Sequence, residues 1–193
     1  MLKVEKLIVN RGGRDICCVP RLAIDTGERV SVIGRNGCGK TTLLRVLAGL
    51  DQDYTGTCDV AVPRHARVYV HQNPYLFRGT VIFNATYGLK ARGWHHQRAT
   101  AVAMDWLDKL GIRDLALAQS NELSGGERRR IALVRALVSE PPLLLMDEPL
   151  AELDRQGAKA VQEVLAGLPQ TTVVLSSPIP LPDGFATQQY NMD

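Results

Sequence analysis

The chain has 193 residues, 45% hydrophobic and 22% charged, a globular composition for one domain that excludes disorder. Its net charge is +3, from 23 basic and 20 acidic residues, too small to imply a nucleic-acid partner by itself. No apolar run approaches the ~18 residues of a membrane span, and four cysteines, two of them adjacent, do not form a disulfide framework, so integral membrane and secreted classes are excluded.

In chain order, Met1-Leu-Lys-Val-Glu-Lys6 alternates charged and apolar residues, unlike a leader. Residues 2–9 and 16–24 read as strands, followed by a turn at Asp25-Thr-Gly-Glu28. Residues 29–33 form a short apolar strand that runs into a glycine-rich loop, and residues 40–47 a helix ended by Gly49. Two further strands are expected at 57–62 and 66–71. From Thr80 the period turns helical, with Ala99, Val102, Ala103, Trp106, Leu107 and Leu110 on one face. This marks a helical subdomain, 80–125, inserted in an α/β core. A helix at 126–138, a buried strand at 143–146, a helix at 155–166 and a strand at 172–175 follow. Such alternation predicts a mostly parallel sheet with crossovers, and active groups beyond the C-terminal strand ends.

Gly34-Arg35-Asn36-Gly37-Cys38-Gly39-Lys40-Thr41 matches G-x-x-x-x-G-K-[ST] at every required position. Between strand and helix, this is a loop whose backbone N–H groups wrap phosphates. Lys40 brings charge to the β- and γ-phosphates, Thr41 a hydroxyl to Mg²⁺, and the helix start favours anions. Thr42 completes the cradle. Cys38 is either a small turn-filling residue or, near a helix N-terminus, a redox-sensitive thiol. Downstream, Leu143-Leu-Leu-Met-Asp147-Glu148-Pro149 is an apolar strand ending in two carboxylates. Such a strand delivers Asp147 to Mg²⁺ and Glu148 to the attacking water. Leu123-Ser124-Gly125-Gly126-Glu127 precedes a helix and offers more backbone donors and a hydroxyl.

These motifs resemble the ATP-binding subunit of an ATP-binding cassette (ABC) transporter. Leu123 to Glu127 matches the family's LSGGE signature without a change, and Gln72, the signature, Asp147-Glu148 and Ala151-Glu-Leu-Asp154 follow the phosphate loop in family order. The resemblance implies the ABC ATPase fold over the whole chain: a P-loop NTPase core, a small antiparallel β lobe and the helical lobe carrying the signature. It implies a head-to-tail homodimer around two ATP molecules, with Ser124, Gly125 and Gly126 of one chain closing over the γ-phosphate on the other's Lys40. Gln72 would sense that phosphate through Mg²⁺, together with Thr41 and Asp147, and pass the change to residues 73–77 and a permease coupling helix.

Two positions depart from the family. Its switch histidine is missing: aligning residues 173–178 on the last core strand puts Ser177 there, and the four histidines, His65, His71, His95 and His96, all precede the second half. Because a placed proton-handling group is worth roughly 10²–10⁴ in rate, slow turnover is expected, with Ser177 as an uncharged donor. The adenine-stacking aromatic is also missing, the first aromatic being Tyr54; Arg11 stands about there, with Arg14 an alternative, since a guanidinium plane stacks on a base. The 32 residues from Lys40 to Gln72 point to a trimmed antiparallel lobe, and Pro178, Pro180 and Pro182 forbid a helix, leaving a short strand at 185–190 and no regulatory domain. Adjacent His95 and His96 lack ligand spacing and read as surface residues.

The resemblance therefore implies a cytoplasmic ATPase, peripheral on the inner membrane face, that powers a separate permease. Residues 76–90 resemble importers of small polar solutes, including oxyanions such as tungstate, which work with a solute-binding protein. The alternative is a nucleotide-gated dimerisation module with little turnover. A role on DNA or ribosomes is disfavoured, because such members carry paired cassettes or a coiled-coil insertion.

Overall fold

The computed structural model describes residues 1–193. Met1–His71, Pro141–Pro149 and Leu168–Asp193 form one compact unit, and Gln72–Glu140 with Leu150–Gly167 a second.

The first unit holds two sheets. Strands β1 (Leu2–Arg11) and β2 (Arg14–Ile24) form a hairpin through Gly12 and Gly13, both at positive φ. After β3 (Arg29–Ile33) and helix α1 (Lys40–Ala48), strand β4 (Thr55–Val60) pairs with the other side of β1, giving the antiparallel order β2-β1-β4. Burial in β1 alternates through Leu2 and Val4, then slips one residue at Lys6, whose φ is 49°. The register with β4 shifts there too, and Gly56 leaves room for the displaced Lys6 carbonyl. The second sheet comprises β3, β5 (Arg67–Val70), β6 (Leu143–Met146), β7 (Thr172–Ser177) and β8 (Gln188–Asn191). All its pairs are parallel, in the order β5-β6-β7-β3-β8.

Helix α1 touches strands of both sheets. Its Leu43, Leu44 and Leu47 are completely buried and join Leu2, Val9, Val30, Val32, Leu143 and Val174 in one core. Every residue of β6 and β7 is buried, as expected for central strands of a parallel sheet with apolar cores, Leu143–Met146 and Val173–Leu175. The last strand starts at Gln188 instead of 185. Phe185 is a buried plug before it, since its apolar area outweighs its place in a strand period.

The second unit is helical. Thr80 caps α2 (Val81–Ala91), accepting from the Phe83 N–H. Helix α3 (His96–Lys109) buries Ala99, Ala103 and Leu107, and Leu110 just beyond it, the face expected from the sequence period. Helices α4 (Gly125–Leu137) and α5 (Arg155–Ala166) complete the unit, with α4 touching α2, α3 and α5. Completely buried Asn84 bonds the Phe77 N–H and C=O, anchoring the preceding segment to α2. No helix is long and apolar enough to cross a membrane.

Candidate phosphate and metal site

The phosphate loop occupies the gap between β3 and α1. Gly37 and Gly39 have φ of 84° and 101°, in the region that favours glycine. A Cβ on Gly39 would collide with the Ile16 carbonyl oxygen and the Cys17 backbone, and one on Gly34 would come 2.6 Å from the Cys38 sulfur. The Cys38 N–H closes a turn onto the Arg35 carbonyl at 3.2 Å. Lys40 is 5% exposed, and its ammonium donates to the carbonyls of Gly34 at 2.6 Å and Arg35 at 3.0 Å. The charge is thus held under the loop, poised for an anion seated on it. At the loop's outer edge the Arg35 N–H and Nε both donate to Asp193 Oδ1, at 3.0 and 3.2 Å. Asn36 is exposed, while Cys38 and Thr42 are half-buried. Beside the loop, burial pushes the Cys17 thiol up to about 12, so it forms no reactive thiolate.

Sheet order brings the second half of the site to this loop. Because β6 lies between β5 and β7, Asp147, one residue past β6, meets side chains from both neighbours and from α1. Its carboxylate is 3% exposed and is met by three hydroxyls. Thr41 Oγ1 donates to Oδ2 at 2.7 Å, Tyr69 from β5 to Oδ2 at 3.2 Å, and Ser176 from β7 to Oδ1 at 2.6 Å. Burial and the nearby Asp147 push the Tyr69 phenol far above its ordinary range, so it stays a donor. The Ser176 hydroxyl also accepts the Glu148 N–H at 2.9 Å. Glu148 is left-handed, with φ of 46°. Hard oxygen donors on Thr41 and Asp147 suit Mg²⁺, and the glycine cradle with Lys40 suits a polyphosphate.

The other expected residues are placed differently. Ser177 is 4% exposed, and its hydroxyl donates to the Ile179 carbonyl at 2.5 Å while accepting the Ile179 N–H. Its own carbonyl accepts the Gly34 N–H at 3.3 Å. The donor expected to face the γ-phosphate is thus engaged in a local turn. The reason is Pro178, which bends the chain back on Ser177. Arg11 is likewise taken: its guanidinium pairs with Asp51 at 2.8 Å and Asp53 at 2.7 Å, leaving its plane but not its edges for a base. Arg14 is exposed.

In the second unit, which begins at Gln72, Ser124 caps α4 in a reciprocal capping box with Glu127. Both glycines of the signature lie against Glu152, Gly125 against its side chain and Gly126 against its backbone. A Cβ on Gly125 would strike its carboxylate, and one on Gly126 would lie 2.9 Å from its carbonyl oxygen. That carboxylate pairs at 2.6 Å with Arg129, which is 8% exposed.

The ABC transporter family profile matches residues 20–151. The chain belongs to the ABC transporter family. It is 32% identical over 169 residues to the tungstate uptake system ATP-binding protein of Peptoclostridium acidaminophilum, covering 85% of this chain and 79% of that one. It is 44% identical over 144 residues to the aliphatic sulfonates import ATP-binding protein of Mycobacterium sp. strain MCS, covering 74% of this chain and 58% of the relative. In structure it superposes on the dimeric ABC transporter cassette MJ0796 with a TM-score of 0.81 at 25% identity, over 91% of this chain and 88% of that one. The same cassette is known in a post-hydrolysis state with ADP and Pi. This ABC cassette is an ATP-binding ATPase.

Two residues of the site escape the motifs, Tyr69 and Ser176. Their only sequence hints are a tyrosine inside the short strand β5 and the two serines that end β7.

Proposed function

We propose that this cassette is the ATP-hydrolysing subunit of an importer, driving a separate membrane permease for a small oxyanion. The meeting of Thr41 and Asp147 at 2.7 Å carries the reading. It sets a Walker hydroxyl and a Walker carboxylate on one point beside the phosphate loop. The names of the tungstate and sulfonate relatives support an oxyanion, delivered by a solute-binding protein.

Lys40 leaves its carbonyl partners for the β- and γ-phosphates, and the N–H groups of residues 36–42 cradle them. Thr41, Asp147 and Gln72 would hold Mg²⁺, whose positive charge would be supplied to the phosphoryl oxygens. Glu148 orients the attacking water and accepts its proton. The plane of Arg11 supports the base. In a head-to-tail homodimer, Ser124, Gly125 and Gly126 of the second copy close over the γ-phosphate. ATP binding closes the pair and hydrolysis reopens it, moving residues 73–77 and the 80–125 segment against the permease. The cassette would then sit on the inner membrane face, with no nucleic-acid partner.

A second reading, a nucleotide-gated dimerisation module, draws on Ser177, which must release Ile179 before it can reach a phosphate. Steady-state ATPase measured against protein concentration, with Glu148→Gln as control, separates the two. Turnover per chain that rises with concentration and vanishes in the variant supports the motor. An ATP-trapped wild-type dimer without turnover, unchanged by added permease, supports the module.

A further inference from the structure

Ser176 and Ser177 end β7 side by side, and only Ser176 addresses the acidic pair. The β6–β7 register sets Met146 opposite Leu175, so Ser176, the next residue and 1% exposed, stands beside Asp147. A hydroxyl has one proton to give and lone pairs to accept with, and here both roles are assigned. The proton goes to Asp147 Oδ1 at 2.6 Å, and the oxygen takes the Glu148 N–H at 2.9 Å.

Two consequences follow for the carboxylates. With Oδ1 turned to Ser176, Asp147 presents Oδ2, the oxygen already shared by Thr41 and Tyr69. The Glu148 backbone, at φ 46°, occupies a conformation that a non-glycine residue holds only when its surroundings enforce it. The bond from its N–H to Ser176 is one such constraint on the backbone that carries the Glu148 side chain.

We propose that Ser176 is a positioning residue for hydrolysis, orienting the metal-binding face of Asp147 and the backbone of Glu148 through one hydroxyl. The proposal rests on the roles given above to Asp147 and Glu148.

The test compares Ser176→Ala, Ser176→Cys and Ser176→Thr with wild type. Three quantities are read: kcat, the Mg²⁺ concentration that half-saturates tightening of a fluorescent ATP analogue, and affinity for that analogue in EDTA. Losing a buried hydrogen bond to a charged group predicts about a 10- to 100-fold effect. In Ser176→Ala, half-saturating Mg²⁺ should rise about tenfold and kcat fall 10- to 100-fold, with affinity in EDTA unchanged. Ser176→Thr, which keeps the hydroxyl, should restore both. Ser176→Cys keeps the volume with a weak donor and should resemble Ala, which covers the case in which Ala fails to fold. Unchanged Mg²⁺ dependence and kcat in Ala or Cys would reduce Ser176 to strand packing. Equal weakening with and without Mg²⁺, unrescued by Thr, would do the same. A wild type without Glu148-dependent turnover overturns the motor reading alone, because the Mg²⁺ titration still decides Ser176.

Discussion

Thr41 and Asp147 lie 106 positions apart in the chain and share a 2.7 Å hydrogen bond. The bond joins the first turn of α1 to the end of β6, and it exists because the parallel sheet puts both at its C-terminal edge. Thr41→Val removes one oxygen ligand and the bond together. The half-saturating Mg²⁺ concentration for ATPase activity should rise about tenfold, as for loss of one hydrogen bond to a charge, while Thr41→Ser should remain near wild type. A Mg²⁺ titration of both variants checks this.

Lys40 is nearly buried on two loop carbonyls. Lys40→Ala deletes the charge that meets the phosphates, so nucleotide affinity should fall about 10- to 100-fold, the value of one charge-assisted bond. Equilibrium binding of a fluorescent nucleotide measures it, and unchanged affinity would remove Lys40 from the site.

Gly37 and Gly39 separate backbone strain from steric collision. Both have positive φ, but a Cβ on Gly37 meets open space whereas one on Gly39 strikes the backbone at Ile16 and Cys17. Gly37→Ala should cost about 1 kcal/mol and Gly39→Ala about 3 kcal/mol or more. At 2–4 °C per kcal/mol for a chain this size, the Tm values should differ by roughly 4–8 °C. Equal melting temperatures would contradict the packing of the loop against β2.

Hydrogen bonds from the Ser124 hydroxyl and backbone N–H hold the Glu127 carboxyl below its ordinary range. A carboxyl lowered in the folded state stabilises it above the unfolded pKa, and the contribution is lost as pH falls through the folded value. Protection of the Ser124 and Glu127 amides against hydrogen exchange should therefore drop below about pH 4. In Glu127→Gln that step should be absent.

Ser177 is engaged with Ile179 on both sides of its hydroxyl. Ser177→Ala should leave kcat within about threefold of wild type, short of the roughly tenfold or greater loss for a group bonded to a charged phosphate. A larger fall, with nucleotide affinity intact, would show that the hydroxyl leaves Ile179 during turnover.

Much of this protein is legible in local strings of its sequence. The phosphate loop, LSGGE and the Leu-Met-Asp-Glu ending of β6 are contiguous, and their chemistry depends on spacing along a few residues. The α3 face and the bounds of β6 and α5 were legible for the same reason, being periodic or sharply punctuated. Tertiary structure decided what strand order and side-chain direction control. Placing β6 between β5 and β7 gives Asp147 the hydroxyls of Tyr69 and Ser176. The turn at Pro178 draws Ser177 inward, so of two adjacent serines alignment selects one and geometry the other. Asp51 and Asp53 claim the edges of Arg11, and the Glu152 backbone crowds Gly126. Each of these is a contact between residues distant or adjacent in sequence whose direction no local pattern encodes, because hydrogen bonds depend on angstrom-scale placement that only the packed sheet and helices supply.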